Sequence, residues 1–249
     1  MGKIRVGIVG SGYIAHYHAR GLQECNSAEL NAIANPTVEK GKDFAGKYGL
    51  KHAFSSADDL INSKIVDAVI ISTPNVFHSE YVLKAFKAGL DAFVEKPMAC
   101  SVAEAEAMKE QALKEGKVLM VGHMWRFDRE VRYLANLVSS EKIGRIFKTT
   151  GYGIHTNWGP AGWFTQKKLS GGGALVDMGI HAIDTVRFIL GDPHPVKVYA
   201  RIGTYMKDFD VDDTGVLMIN YLWTRDLGYL LLSSRNVMST VINTCTPFK

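Results

Sequence analysis

The stretch "KIRVGIVGSGYIA", residues 3–15, decides the fold. Residues 3–10 have the apolar composition and length of a buried strand. Gly10-x-Gly12-x-x-Ala15 follows, where that strand must turn into a helix. Gly10 permits the tight turn, and Gly12 lets the backbone come close to a pyrophosphate. Ala15, small like the usual third glycine, lets the helix pack against the strand. The free amides and dipole at the helix start suit phosphate. Tight turns use glycine for other reasons, so the triplet carries weight only through its strand–turn–helix setting. Gly10, Gly12, Tyr13, Ile14 and Ala15 are the cofactor-binding candidates of this turn.

The same rhythm continues for half the chain. Runs 28–35, 66–73, 91–95 and 117–122 read as further buried strands with helical stretches between them. In the clearest helix, 101–115, Ser101 and Glu104 make a capping-box pattern and Gly116 suits the stop. Strands that are apolar throughout, each followed by a helix, predict a doubly wound parallel sheet over residues 1–122. After about residue 123 the period changes. A helix after Arg126 is followed by a long strand, 144–156, and an apolar helix, 173–190. Strand-like runs 196–205, 214–222 and 227–233 come next. Consecutive strands without helices between them predict a largely antiparallel open sheet in an α+β domain, residues 123–249.

Composition narrows the function. Of 249 residues, 47% are apolar and 22% charged, ordinary for a globular protein. The charge of +4 and pI near 8.8 come from lysines scattered among acids, with no basic run to hold nucleic acid. No apolar run approaches the ~20 residues of a membrane span, and the N-terminus lacks a signal-peptide layout. Val6 stands where myristoylation requires a small hydroxyl residue. Cys25, Cys100 and Cys245 share no close spacing, which argues against disulfides and zinc and for a reducing cytoplasm.

The end of the second strand should read the adenosine ribose. A carboxylate there would select NAD; this chain has Asn35, with Lys40 one turn on, so NAD and NADP both remain open, with a lean to NADP. In a doubly wound sheet, ligands sit at the strands' carboxyl ends. "STPNVFH", 72–78, and "DAFVEKP", 91–97, both reach that edge. Lys96 could be a solvated strand terminus, but its place one residue past a buried strand, fixed by Pro97, favours a directed ammonium. In "GGGALVDMGIHAIDTVRFILG", 171–191, Asp177, His181, Asp184 and Arg187 form one polar stripe on an otherwise apolar helix. A lone histidine there would read as structural. With Asp177 one turn before it, the stripe reads as the wall of a polar cavity.

Together, Gly10–Ala15, "STPN" (72–75), "EKP" (95–97) and Asp177-x-Gly179-x-His181-x-x-Asp184 resemble the Gfo/Idh/MocA oxidoreductase family. The resemblance implies an NAD(P)-dependent dehydrogenase or reductase of sugars, cyclitols and related hydroxy or carbonyl compounds. Residues 1–122 would bind the dinucleotide, and residues 123–249 the substrate and other copies of the chain. It implies that Lys96 binds the reacting oxygen near the nicotinamide, that His181 is the general acid/base, and that Asp177 orients the substrate and this pair. Thr73, Pro74, Asn75, His78 and Glu95 would line the cofactor with Lys96. Arg126, in "GHMWRF", would touch cofactor or substrate. His155 and Trp163 are substrate-side candidates, and Trp158 and Trp163 could equally be core. His16 and His18 point to different sides of their helix, so no metal is expected.

Three rivals share the fold: a dinucleotide sensor without catalysis, an impaired oxidoreductase, and redox-mediated glycoside cleavage with tightly held NAD. The chain departs from the family pattern at "STVINTCTPFK", 239–249, where more sheet strands would follow. This predicts a C-terminally truncated copy with an unpaired apolar edge near 227–243, prone to self-association.

Overall fold

Val6, Ile8 and Val9 bury the first strand on both faces, and the rest of the first unit is built around it. In the computed structural model, the described residues are 2–144, 146–154, 162–205, 209–222 and 237–245. The chain divides into two units, Met1–Gly122 and His123–Lys249.

The first unit is a six-stranded parallel sheet in the order β3-β2-β1-β4-β5-β6. Its strands are β1 (Ile4–Val9), β2 (Ala28–Ala34), β3 (His52–Phe54), β4 (Ala68–Ile71), β5 (Asp91–Val94) and β6 (Leu119–Val121). The helices are α1 (Tyr13–Gln23), α2 (Val38–Tyr48), α3 (Ala57–Asn62), α4 (His78–Lys87) and α5 (Val102–Glu115). Alternation along the strands sorts the apolar side chains into two clusters. Ile8, Ile33 and Ile70 pack with Ala15, Ala19 and Phe44 of α1 and α2. Val9, Val69 and Ile71 pack with Leu60, Val82, Phe86 and Met108 of α3, α4 and α5. Apolar burial on both faces is why these strands read as continuous apolar runs. β3 escapes such a reading because it is three residues long, with His52 and Ala53 exposed.

The second unit holds α6 (Arg129–Ser139), β7 (Lys148–Ile154), α7 (Lys167–Ser170), a π-helical turn (Leu175–Gly179) and α8 (Ile180–Ile189). Strands β8 (His194–Gly203), β9 (Thr214–Leu222) and β10 (Val237–Cys245) follow. Their order is β7-β10-β9-β8, antiparallel except for the β10–β7 pair. Val138 of α6 and Val186 and Leu190 of the α8 region pack on Leu217, Ile219 and Tyr221 of β9. The architecture is a doubly wound Rossmann unit followed by an α+β unit with a largely antiparallel sheet.

The run 227–233 lies outside the described residues. The expected open edge needs revision, and β10 is a strand the pattern did not indicate. β10 is hydrogen-bonded on both sides, to β7 and to β9, so residues 239–243 are interior to the sheet and not an open edge. The edges of the described sheet are β7 and β8. Among the described residues no helix is long and apolar enough to cross a membrane.

The cap on α5 is complete. Ser101 Oγ accepts from the Glu104 amide at 3.2 Å, and Glu104 Oε2 accepts from the Ser101 amide at 3.0 Å. Gly116 closes the helix at φ +61°. Ser101→Ala removes one half of this reciprocal pair and should cost about 1 kcal/mol in urea unfolding. An unchanged midpoint would show that the cap contributes nothing.

Candidate active site

Three loops leave the carboxyl edge of the first sheet side by side, because β1, β4 and β5 are neighbours. Backbone pairing runs one residue past each strand: Gly10 N–H donates to Ala34, Ser72 N–H to Val9 and Glu95 N–H to Ile71, at 2.9–3.0 Å. Gly10 sits at φ +96°, and a Cβ there would stand 2.6 Å from the Ser72 carbonyl oxygen. Only glycine meets both demands. Ser72 Oγ in turn lies 3.2 and 3.0 Å from the carbonyl oxygens of Val9 and Gly10, which are its acceptors.

Gly12 caps α1 with no side-chain bond and open space beside it, so the first amides of the helix have no side-chain acceptor at the cap. Ala15 is fully buried and seats the helix close to β1. Thr73 Oγ1 is buried without a hydrogen-bond partner. A bare amide cradle and a hydroxyl with unused capacity on the adjacent loop fit a dinucleotide pyrophosphate. Tyr13 is exposed, with its hydroxyl 2.7 Å from that of Tyr17, and Ile14 is half-buried.

Asn35 spends its amide on the fold. Nδ2 donates to Ser11 Oγ at 2.6 Å, and Oδ1 accepts from the Thr37 amide at 2.8 Å. Ser11 therefore joins the set, unmarked in the sequence except by lying between two glycines. It lines a cavity of about 200 Å³ with His16, Lys40, Asp43, Phe44 and Lys47. Burial, then Lys47 and Arg20, lower the His16 pKa.

On the next two loops, Asn75 is buried and Pro74 half-buried. His78 is fully buried, with Nδ1 2.8 Å from the Pro97 carbonyl oxygen and Nε2 3.0 Å from that of Thr73. Burial pushes the His78 pKa down; hydrogen bonds to the two carbonyls and the nearby Glu95 pull against it. Lys96 is half-buried just past β5. Glu95 Oε1 lies 2.7 Å from His18 Nε2, a residue the motif reading passed over. Its signal was position: His18 is three residues past Ala15, toward the sheet-facing side of α1, where a polar side chain requires a partner.

In the second unit, the segment that carries Asp177 and His181 is held at its start. Asp212 accepts the Gly173 and Leu175 amides through its two carboxylate oxygens, both at 2.9 Å, and its carbonyl accepts the Ala174 amide at 2.8 Å. A Cβ at Gly173 would overlap the Asp212 backbone. Asp213, fully buried, accepts the Tyr205 amide and the Thr214 hydroxyl. The π-helical turn follows, with Asp177 inside it and His181 just beyond.

Among the described residues, the predicted stripe does not line one polar cavity: His181 lines a cavity of about 540 Å³ that Asp177, Asp184 and Arg187 do not, with walls that include Trp125, Leu134, Met178, Val186 and Ile189. That lining is largely apolar. Asp184 is buried and taken by Arg126, whose Nε and Nη2 donate at 2.6–3.0 Å. His123 Nδ1 lies 3.6 Å from the same carboxylate. Arg126 also sits over the Phe188 ring, so its guanidinium anchors the crossover segment to α8. Arg187 pairs with Asp192 at the helix end. Trp163 stacks on Phe164, with ring centroids 3.7 Å apart. His155 and Trp158 lie outside the described residues.

Comparison with known proteins places this arrangement. Residues 4–123 match the profile described as the oxidoreductase family with NAD-binding Rossmann fold, and residues 131–222 match the GFO/IDH/MocA C-terminal domain. The chain belongs to the Gfo/Idh/MocA family. It is 34% identical over 208 residues to D-glucoside 3-dehydrogenase of Escherichia coli K12, covering 81% of this chain and 59% of that one. Identity to myo-inositol 2-dehydrogenase of Thermotoga maritima is 29% over 225 residues, covering 88% and 65%. The WlbA dehydrogenase of Bordetella pertussis, solved with NADH and UDP-GlcNAcA, superposes with a TM-score of 0.85 at 25% identity, covering 98% of this chain and 67% of that one. The Gfo/Idh/MocA chain described here thus spans about three fifths to two thirds of these relatives' lengths.

The Asp212 clasp makes a separable test. Asp212→Ala leaves two amides at the helix start without their acceptors and should destabilise the second unit by about 1–2 kcal/mol. Gly173→Ala, which must displace backbone, should cost more. Thermal unfolding of both variants ranks them; equal losses would mean that the Asp212 backbone moves aside freely.

Proposed function

We propose that this chain is a nicotinamide-dinucleotide-dependent oxidoreductase acting on a hydroxyl or carbonyl carbon of a sugar, cyclitol or related polyhydroxy compound. The carrying observation is Lys96 placed just past β5, at the same sheet edge as the glycine loop, in a chain that also keeps Asp177 and His181 four residues apart. The relatives named for glucoside and inositol dehydrogenation support the substrate class.

When bound, the nicotinamide supplies the hydride acceptor or donor. Lys96 holds the substrate oxygen and stabilises the negative charge that develops on it as the carbon–hydrogen bond changes. His181 takes the hydroxyl proton on oxidation and returns it on reduction, and Asp177 orients His181 and the substrate. His155 and Trp163 complete the substrate side. Gly10, Gly12, Tyr13, Ile14, Ala15, Asn35, Thr73, Pro74, Asn75, His78 and Arg126 belong to the cofactor site or its supports. The free thiols Cys25 and Cys100 accord with a cytoplasmic setting. Val196, Val198 and Ile202, about half exposed on edge strand β8, support association of copies through this sheet.

Lys96→Met should abolish turnover of NAD or NADP with myo-inositol or a methyl glucoside, followed at the nicotinamide absorbance, while dinucleotide affinity stays within a few-fold. Wild-type kcat in this variant would remove Lys96 from the reaction. Cofactor choice turns on the ribose end. Lys40 and Lys47 stand around the Ser11 cavity and suit a 2′-phosphate. Asn35→Asp should shift preference toward NAD by about 1–3 kcal/mol through repulsion of that phosphate. Equal NAD/NADP ratios in both proteins, read by fluorescence titration, would place ribose recognition elsewhere.

A further inference from the structure

In Glu95-Lys96-Pro97 the proposed reaction uses the middle side chain, yet the fold grips the residues on either side of it. Before Lys96, the Glu95 carboxylate takes a 2.7 Å hydrogen bond from His18 Nε2. Both side chains are largely buried, 19% and 14% exposed. The His18 ring meets Phe93 of β5 edge-on, with centroids 5.0 Å apart. Gly122 makes the room: a Cβ there would stand 3.1 Å from both carboxylate oxygens. The second of these oxygens accepts the Lys96 amide at 3.3 Å. After Lys96, the Pro97 carbonyl faces Nδ1 of the fully buried His78, whose Nε2 faces Thr73 on the neighbouring loop. Both carbonyls are satisfied together only by a ring protonated on both nitrogens; the neutral ring serves one.

We infer that His18 and His78 are positioning residues that set the Lys96 ammonium, His18 acting through the Glu95 carboxylate and His78 through the Pro97 carbonyl. The inference rests on the reading of Lys96 given above. Lysine carries about 2 kcal/mol of rotamer entropy on a flexible stem, so a shift of the backbone beneath it is passed on to its ammonium. A displacement of about 1 Å at a reacting centre can cost about a hundredfold in rate. Without His18, a largely buried carboxylate keeps a single long amide bond. It must then find another donor or turn to water, and either outcome moves the peptide that bears Lys96.

The test uses the full chain with His18→Ala, His18→Gln, Glu95→Ala and the His18→Ala/Glu95→Ala double variant. His78→Gln is a second probe: it should raise exchange of the Lys96 amide at least about threefold, and unchanged exchange there removes His78 from the inference. Hydrogen exchange of the Glu95 and Lys96 amides reads the bracing with no substrate present. His18→Ala should raise it at least about tenfold against an unchanged β1 and β4. With NAD and the substrates named above, kcat should fall about 10- to 100-fold while dinucleotide affinity holds within threefold. His18→Gln, which keeps a donor, should recover most of the loss. The double variant should be no worse than the poorer single one, because both changes remove one linkage. Unchanged exchange in His18→Ala overturns the inference, as do additive losses in the double variant. If that happens while Lys96→Met is inactive, the reading of Lys96 survives alone. Raised exchange in a chain that turns over no substrate leaves the bracing standing and removes the reading it serves.

Discussion

The close approach of Gly10 to the Ser72 carbonyl is the constraint on which the rest of the site depends. β1 and β4 are adjacent, and the chain turns away from the sheet in opposite directions after them, so their carboxyl ends open a crevice at the reversal of strand order. The crevice has that form only because no Cβ stands between the two backbones at residue 10. Ser72 then ties the turn down through Val9 and Gly10, and Gly12 leaves the start of α1 without a side-chain cap. β5 is registered on β4, so Glu95 and Lys96 inherit their position from the same contact. A change at Gly10 would therefore be felt at Lys96, two strands away, through backbone geometry.

The second unit solves a different problem. A helix with Asp177, His181, Asp184 and Arg187 on one side carries four polar groups into largely apolar surroundings, and each has to be accounted for. Asp184 is neutralised by a forked guanidinium, Arg187 by Asp192, and the start of the segment by the Asp212 carboxylate lying where the helix dipole is positive. His181 lines the wall of a mostly apolar cavity. The π-helical turn that contains Asp177 comes directly after the Asp212 clasp. Such turns break the regular ladder and are often found at functional sites.

Much of this was legible in the sequence, and the gaps have physical causes. The five strands of the first sheet other than β3, the capping box at Ser101 and the glycine turn follow from periodicity and local stereochemistry. β3 was not legible because three residues with an exposed histidine carry no period. β10 was not, because its pairing with β7, about ninety residues earlier, is a tertiary event that no local pattern announces. The stripe on α8 was legible as a stripe but not in its use. Arg126 lies 58 residues before Asp184, and only the fold reveals that the arginine is committed to a carboxylate. Asn35 directly follows β2, as the sequence indicates, but its two bonds to Ser11 and Thr37 depend on how the glycine loop meets the β2–α2 turn.

The two units also differ in what a lost contact would do. The first has two apolar clusters, one on each face of a parallel sheet, which support its carboxyl edge from within the unit. Its polar bracing runs through single buried histidines, where removing one partner strands the other. The second unit rests on one cluster around Tyr221 and on carboxylates that accept several backbone amides at once. Bonds of the first kind place a side chain sharply and fail one at a time. Bonds of the second kind hold a segment and fail together. Substitutions in the first unit should therefore act singly, whereas loss of the Asp212 clasp should disturb Asp177 and His181 together, because both follow directly on that clasped backbone.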